Sequence, residues 1–121
     1  MAKKTAKLAG WVFVIIGVLG FFGNPLVGST GSALFWSDTS GNIIYLVTGV
    51  ILLWSGYKSA RLSRSTTTIL GIVYVFLAIL GFWTGGSSLL GIMSINSADN
   101  WLHLVLGAYM LRGSTRNDSM A

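Results

Sequence analysis

Ile69-Leu-Gly-Ile-Val-Tyr-Val-Phe-Leu-Ala-Ile-Leu-Gly-Phe-Trp83 carries no charge, and ten of its residues are Leu, Ile, Val or Phe. On the insertion scale such side chains contribute roughly −0.3 to −0.6 kcal/mol each, about −3 to −6 kcal/mol together, so the stretch reads as a membrane-spanning helix. Working outward, three further apolar blocks occupy Leu8–Phe22, Ile43–Tyr57 and Trp101–Leu111. A bilayer core of roughly 30 Å takes about 20 helical residues. Each helix therefore extends into its flanks, with expected spans at 8–24, 42–57, 66–84 and 98–112. Asn24-Pro25 ends the first span, because the residue before a proline is biased out of the helical region. Thr66-Thr67-Thr68 forms the opening turn of the third. The fourth is the weakest: Leu102, Leu104, Val105, Leu106 and Leu111 supply only about −1.5 to −3 kcal/mol. It also carries Asn100 and His103, with Asp99 at its mouth, and holds by packing on its neighbours.

Composition points the same way. The chain has 121 residues, 53% of them hydrophobic and 9% charged, with a mean hydropathy of +0.73. A soluble domain carries about 25% charged residues, and intrinsic disorder needs low hydrophobicity, so both classes are excluded. Absence of cysteine removes a disulfide framework, a thiolate nucleophile and a Cys-based zinc or iron–sulfur site. One proline and 16 glycines fit closely packed helices. Residues 1–121 form a single transmembrane domain.

The basic residues give the orientation. Lys3, Lys4 and Lys7 precede the first helix; Lys58, Arg61 and Arg64 lie between the second and third; Arg112 and Arg116 follow the fourth. The connections at 23–42 and 84–100 contain neither Lys nor Arg. All positive charge thus falls on one side, which predicts a multi-pass protein of the cell membrane with both termini cytoplasmic. Trp36, Trp83 and Trp101 fit the outer boundary, and Trp11, Trp54, Tyr57 and Tyr109 the inner one. A basic start followed by an apolar run also describes a signal peptide, with Gly31-Ser-Ala33 as cleavage residues. An internal repeat argues against that.

Leu19-Gly20-Phe21 matches Leu80-Gly81-Phe82, and the segment from Thr39 to Gly49 matches that from Ser97 to Gly107. Asn42 pairs with Asn100, Tyr45 with His103, Leu46 with Leu104, Val47 with Val105 and Gly49 with Gly107. Two halves, 8–60 and 66–113, of two helices each share one orientation, so an axis along the membrane normal relates them. The expected fold is all-α: a four-helix transmembrane bundle of two parallel helix hairpins. The paired motifs open helices, with Ser97 or Asp99, and Thr39 or Ser40, as caps, and the asparagines as weak reciprocal capping residues.

His103 sits one turn inside the fourth helix, with Asp99 and Gly107 on its face and Asn100 close by. Ionisable groups inside a membrane usually face the bundle interior or a cavity. One reading is an outward-facing polar pocket of Asp99, Asn100 and His103, joined across the axis by Asn42 and Tyr45. It could bind a small ligand, relay protons or switch near neutral pH. The other is an interhelical hydrogen bond, such as His103 to Tyr45 or Asn42, worth about 0.6 kcal/mol. One His, one Asp and an amide fall short of a zinc site, and a haem attachment motif is absent, so neither metal nor cofactor is expected.

An enzyme is not expected either. No Ser follows a nucleophile-elbow pattern, the helices contain no carboxylate pair, and Gly85-Gly86-Ser87-Ser88 lacks the lysine of a phosphate loop. The basic clusters flank spans, where orientation and anionic lipid explain them better than nucleic acid. Asn117-Asp-Ser119 fits a glycosylation sequon but lies in the cytoplasmic tail. The glycines read as packing stripes: Gly10 with Gly17, Gly49 with Gly56, the run Gly17, Gly20, Gly23, and the pair Gly81 and Gly85.

Asn96-Ser-Ala-Asp-Asn-Trp-Leu-His-Leu-Val-Leu-Gly107 resembles a family of small bacterial four-helix membrane proteins of unknown function. That family has an Asn-x-x-Asp-Asn-x-x-His-x-x-x-Gly signature opening its last helix and a related Asn/His motif opening its second. Asn96, Asp99, Asn100, His103 and Gly107 match the first motif; Asp38, Gly41 and Tyr45 depart from the second, so no symmetric histidine pair is available. The resemblance implies the fold and flags the motif without implying an activity. The expected role is a non-enzymatic structural or accessory membrane protein. The alternative is a small permease or channel subunit built around the Asn42/Tyr45 and Asn100/His103 pocket. The lipid bilayer is the expected surrounding, with a second copy or a membrane protein as the partner.

Overall fold

The computed structural model describes residues 2–22, 24, 26–28, 33–85, 88–89 and 93–115. Four helices, α1 (Ala2–Leu19), α2 (Thr39–Lys58), α3 (Ala60–Thr84) and α4 (Ser97–Thr115), carry the fold. Each long connection bears a two-residue ladder. Val27–Gly28 (β1) pairs in parallel with Phe35–Trp36 (β2), and Ser88–Leu89 (β3) pairs antiparallel with Met93–Ser94 (β4). Two helices, α2 and α3, are long and apolar enough to cross a membrane. The other two fall short for sequence reasons: Lys3, Lys4 and Lys7 occupy the start of α1, and Asp99, Asn100 and His103 the start of α4.

The helix ends differ from the expected spans. Helix α1 stops at Leu19 rather than at residue 24 because a side chain takes over the backbone groups. Asn24 Nδ2 donates to the Leu19 and Phe22 carbonyls at 2.7 and 2.6 Å, and its Oδ1 accepts from the Leu26 and Val27 amides. Helix α3 begins at Ala60, not 66, so one residue, Ser59, joins it to α2. Ser59 caps α3 by accepting from Leu62 N–H, while its own N–H donates to Ser55 O. The threonine run is mid-helix instead of an opening turn. Thr66, Thr67 and Thr68 each donate a hydroxyl to the carbonyl four residues back, which satisfies them without a helix end. Gly85, read as a packing residue, is the left-handed C-cap of α3 (φ 62°), with open space around it. Gly23, Pro25, Gly31, Ser32, Gly86, Ser87 and Arg116 through Ser119 lie outside the described residues.

Close glycine contacts set the two hairpins. A Cβ on Gly10 would meet Gly49 O and Leu53, and one on Gly49 would meet Gly10 O and Val14. The same arrangement recurs between α3 and α4, where Gly71 faces Gly107 O and Leu111, and Gly107 faces Gly71 O and Val75. Gly17 packs on Leu46, and Gly56 on Lys7. Backbones this close gain dispersion contacts that larger residues would forfeit. The hairpins meet along α1, α3 and the α2–α3 and α1–α4 seams. Contacts pairing Gly10 with Leu53, Gly71 with Leu111 and Thr5 with Gly113 run each neighbour antiparallel. Lys3, Lys4, Lys7, Lys58, Arg61, Arg64 and Arg112 consequently share one end, and Asp38 and Asp99 the other.

Polar and apolar side chains share the interior, where Phe13, Ile16, Leu52, Leu106 and Met110 belong to a buried apolar core. Thr5, Ser37, Asn42, Thr48, Ser55, Ser63, Thr67, Asp99, Asn100, His103 and Ser114 are buried. Ile15, Val50, Ile69, Phe76 and Val105 are each more than half exposed.

Candidate functional site at the acidic end

Helix α4 opens on a reciprocal cap. Asn96 Oδ1 accepts from Asp99 N–H, and Asp99 Oδ2 accepts from Asn96 N–H, both at 2.9 Å. Each side chain satisfies an amide that the first helical turn leaves without a partner. Neither Ser97 nor Asp99 is therefore the N-cap; Asn96 is, because its short amide reaches the third helical N–H. In α2 the cap is Asp38, accepting from Gly41 N–H at 2.9 Å, rather than Thr39 or Ser40.

The Asn96–Asp99 pair also reaches into the other half of the chain. Asp99 Oδ2 accepts from Trp36 N–H at 3.0 Å, and Asn96 Nδ2 donates to Leu34 O at 2.9 Å. Two residues at the head of α4 thereby hold both sides of the β2 segment. Asp99 is fully buried, and its other oxygen, Oδ1, has no hydrogen-bond partner.

One turn deeper, His103 Nε2 and Tyr45 Oη lie 2.6 Å apart, joining α4 to α2. Both are buried among rings: Phe13 and Tyr74 have centroids 4.7 Å apart, and Tyr74 and His103 lie 5.5 Å apart edge to face. Thr48 Oγ1 and Tyr74 Oη hydrogen-bond at 3.0 Å. His103 Nδ1 has no partner. Either the tyrosine hydroxyl donates to Nε2, leaving an N–H at Nδ1, or Nε2 donates and leaves a lone pair there.

Asn42 and Asn100 do not join His103. The Asn42 amide closes on Gly20, and the Asn100 amide on Gly81, leaving no room for a Cβ at either glycine. Their Oδ1 atoms lack hydrogen-bond partners and face backbone Cα–H groups, a weak but recurrent contact between helices. The proposed pocket residues thus divide into a capping pair, an interhelical pair and two helix-packing amides, all sharing one end. Among the described residues, no group of three His, Cys, Asp or Glu side chains could hold a metal.

The sequence reading missed Phe13 and Tyr74, which complete the ring cluster, and the backbone groups of Leu34 and Trp36. The first two had a signal. Extending the offset that pairs Gly20 with Gly81 back along α1 aligns Gly10 with Gly71 and Phe13 with Tyr74. The backbone partners had none, because an N–H carries no residue identity.

These features define a class: a four-helix protein of two glycine-packed hairpins, with polar groups among its buried residues and large apolar side chains on its outer surface. The chain belongs to the family described as "Domain of unknown function (DUF4383)", whose model matches residues 3–115. Among curated proteins, and among solved structures, nothing matches.

Proposed function

We propose that this is a four-pass integral protein of the cell membrane, with both termini cytoplasmic and a non-enzymatic structural or accessory role. The apolar outer surface carries the reading. Soluble monomers rarely expose an apolar patch larger than a few hundred Å², yet Trp11, Ile15, Val18, Val47, Val50, Trp54, Ile72, Phe76, Ile79 and Val105 all face outward. A lipid surrounding welcomes those side chains and drives the polar ones inward. The matched glycine contacts support two hairpins as copies of one unit, and the one-ended cationic charge supports the orientation. In this reading Asn96, Asp99 and His103 fasten α4 to the first connection and to α2, with lipid and a second copy or membrane protein as partners. Alkaline carbonate extraction tests insertion. Single cysteines at exposed Ser40, Ser65, Ser97 and Thr115 test topology with an impermeant thiol reagent. Labelling of Ser40 and Ser97 variants from outside, with Ser65 and Thr115 variants protected, is expected. A His103→Phe protein that folds but abolishes a cellular phenotype would overturn the structural role.

A second reading is a small oligomeric permease or channel subunit, favoured by the unpartnered Asp99 Oδ1 and His103 Nδ1 one helical turn apart. Two such atoms inside an apolar bundle are costly unless water, a proton or a ligand visits them. This reading expects a defined ring when the protein is extracted with its lipid, and a pH-dependent flux altered by His103→Ala. A monomeric particle, or unchanged flux in vesicles, would sink it.

A further inference from the structure

At the opposite end, a cleft of about 330 Å³ opens between α1 and α4, lined by Lys4, Thr5, Leu8, Tyr109, Arg112 and Gly113. Its floor exists because of a glycine: a Cβ on Gly113 would collide with the Thr5 hydroxyl and its Cβ. Thr5 is fully buried, and its Oγ1 has no hydrogen-bond partner. Its oxygen lies against Gly113 as the Asn42 and Asn100 oxygens lie against Gly20 and Gly81, so it is packed into the helix seam beneath the cleft. Leu8 and Tyr109 continue the cleft along the apolar flank, both partly exposed. Among the described residues, the only carboxylates are Asp38 and Asp99 at the far end of the bundle, so none neutralises Lys4 or Arg112.

We propose that this cleft binds an anionic phospholipid, with Lys4 and Arg112 on the phosphate and an acyl chain lying along Leu8 and Tyr109. A soluble phosphate would use the two cations but leave the apolar wall without an occupant. Basic pockets between helices on the cytoplasmic side take anionic headgroups for this reason. Lys7 has a different environment, with its ammonium 4.8 Å from the Tyr57 ring centroid on α2. Charge at this end is therefore divided between a cleft and a general cationic rim. The proposal rests on the membrane reading above.

Carbonate extraction comes first, so that the two can fail separately. If the protein is released as soluble, the membrane reading falls, and a titration with glycerol phosphate tests the cleft alone. If it stays embedded, native mass spectrometry of purified protein with added phosphatidylglycerol or phosphatidylcholine reads lipid retention. The expected result is one phosphatidylglycerol held in preference to phosphatidylcholine. Lys4→Gln with Arg112→Gln should weaken it by about 30-fold, at roughly a factor of five or more for each cation. Arg112→Lys should retain most of the binding. Lys58→Gln with Arg61→Gln removes equal charge from the same end and should have little effect. Equal loss in that control pair, or equal retention of phosphatidylcholine, would overturn the assignment. Displacement of the lipid by millimolar glycerol phosphate would make the site one for soluble phosphate and would overturn the lipid proposal.

Discussion

The α1–α2 and α3–α4 hairpins share a packing scheme and differ in how their second helices begin. In both, glycines bring backbones together, with Gly10 and Gly49 in one and Gly71 and Gly107 in the other. In both, an asparagine closes on a glycine one turn from the acidic end. At the head of α2, however, the Asp38 side chain accepts from Gly41 N–H, and Gly41 occupies the place where α4 has Asp99. Helix α4 answers with a reciprocal pair and then spends the same carboxylate on Trp36 of the other hairpin. The helix seams are equivalent; the polar heads are specialised. Packing fixes each hairpin, while the carboxylate fixes how the first connection sits over the second hairpin.

The strongest way to break that equivalence is to fill the seams. Gly49→Val and Gly107→Val should each destabilise by about 3 kcal/mol, because the new side chain meets a facing backbone oxygen and valine. Thermal unfolding in detergent, followed by tryptophan fluorescence, should give similar shifts for the two. A large shift in only one would show that the seams carry unequal loads. Next comes the carboxylate. Asp99→Ala leaves the Trp36 and Asn96 amides without their acceptor and should cost about 2–3 kcal/mol. Asp38→Ala removes the α2 cap, a loss of about 1 kcal/mol. Proteolysis of the connection around Trp36 should rise in the first variant and not in the second. Equal sensitivity would mean that Asp99 is simply another cap.

The interhelical hydroxyls give a smaller contrast. Tyr45→Phe removes the partner of His103, and Thr48→Val removes the partner of Tyr74; each should cost about 0.6–1.7 kcal/mol, the range for hydrogen bonds between helices in lipid. Combining both should add nearly linearly unless the ring cluster couples them, which a double-mutant cycle measures.

Much of this was legible from residue types, and the failures have local causes. Four apolar blocks, eight one-sided cations and the Asn42/Asn100 match anticipate four helices and bring the right groups to one end. Helix limits were missed where side chains act as backbone surrogates. Asn24 closes α1 early with four hydrogen bonds, and the threonines of α3 hide their hydroxyls on the preceding turn. For the polar site, spacing groups Asn42, Tyr45, Asn100 and His103 and allows either one pocket or an interhelical bond from His103 to Tyr45 or Asn42, of which the His103–Tyr45 bond is present. Packing separates them, since a glycine opposite each asparagine draws the amide sideways into the helix seam. The link from Asp99 to Trp36 spans 63 positions and ends on an amide hydrogen, so no pattern of side chains could announce it.

The smallest effect sharpens the comparison most. If the hairpins differ only in side chains, the head of α4 can be rebuilt on α2 by Asp38→Asn with Gly41→Asp. A Cβ at position 41 would come within 2.7 Å of Ser37 Oγ, but that hydroxyl makes only a 3.4 Å contact with Asp38 O and can turn aside. Gly41→Asp alone sets two carboxylates three residues apart at one helix start and should destabilise by about 0.5 kcal/mol. The double variant replaces that repulsion with the Asn-x-x-Asp reciprocal cap and should return the unfolding midpoint to the wild-type value or slightly above it. Recovery would mean that the two helix starts share a backbone geometry and that Asp99 was free to acquire its second task. A double variant as unstable as the single would place the difference in the chain path before α2, where the parallel ladder at Phe35 and Trp36 has already committed the backbone.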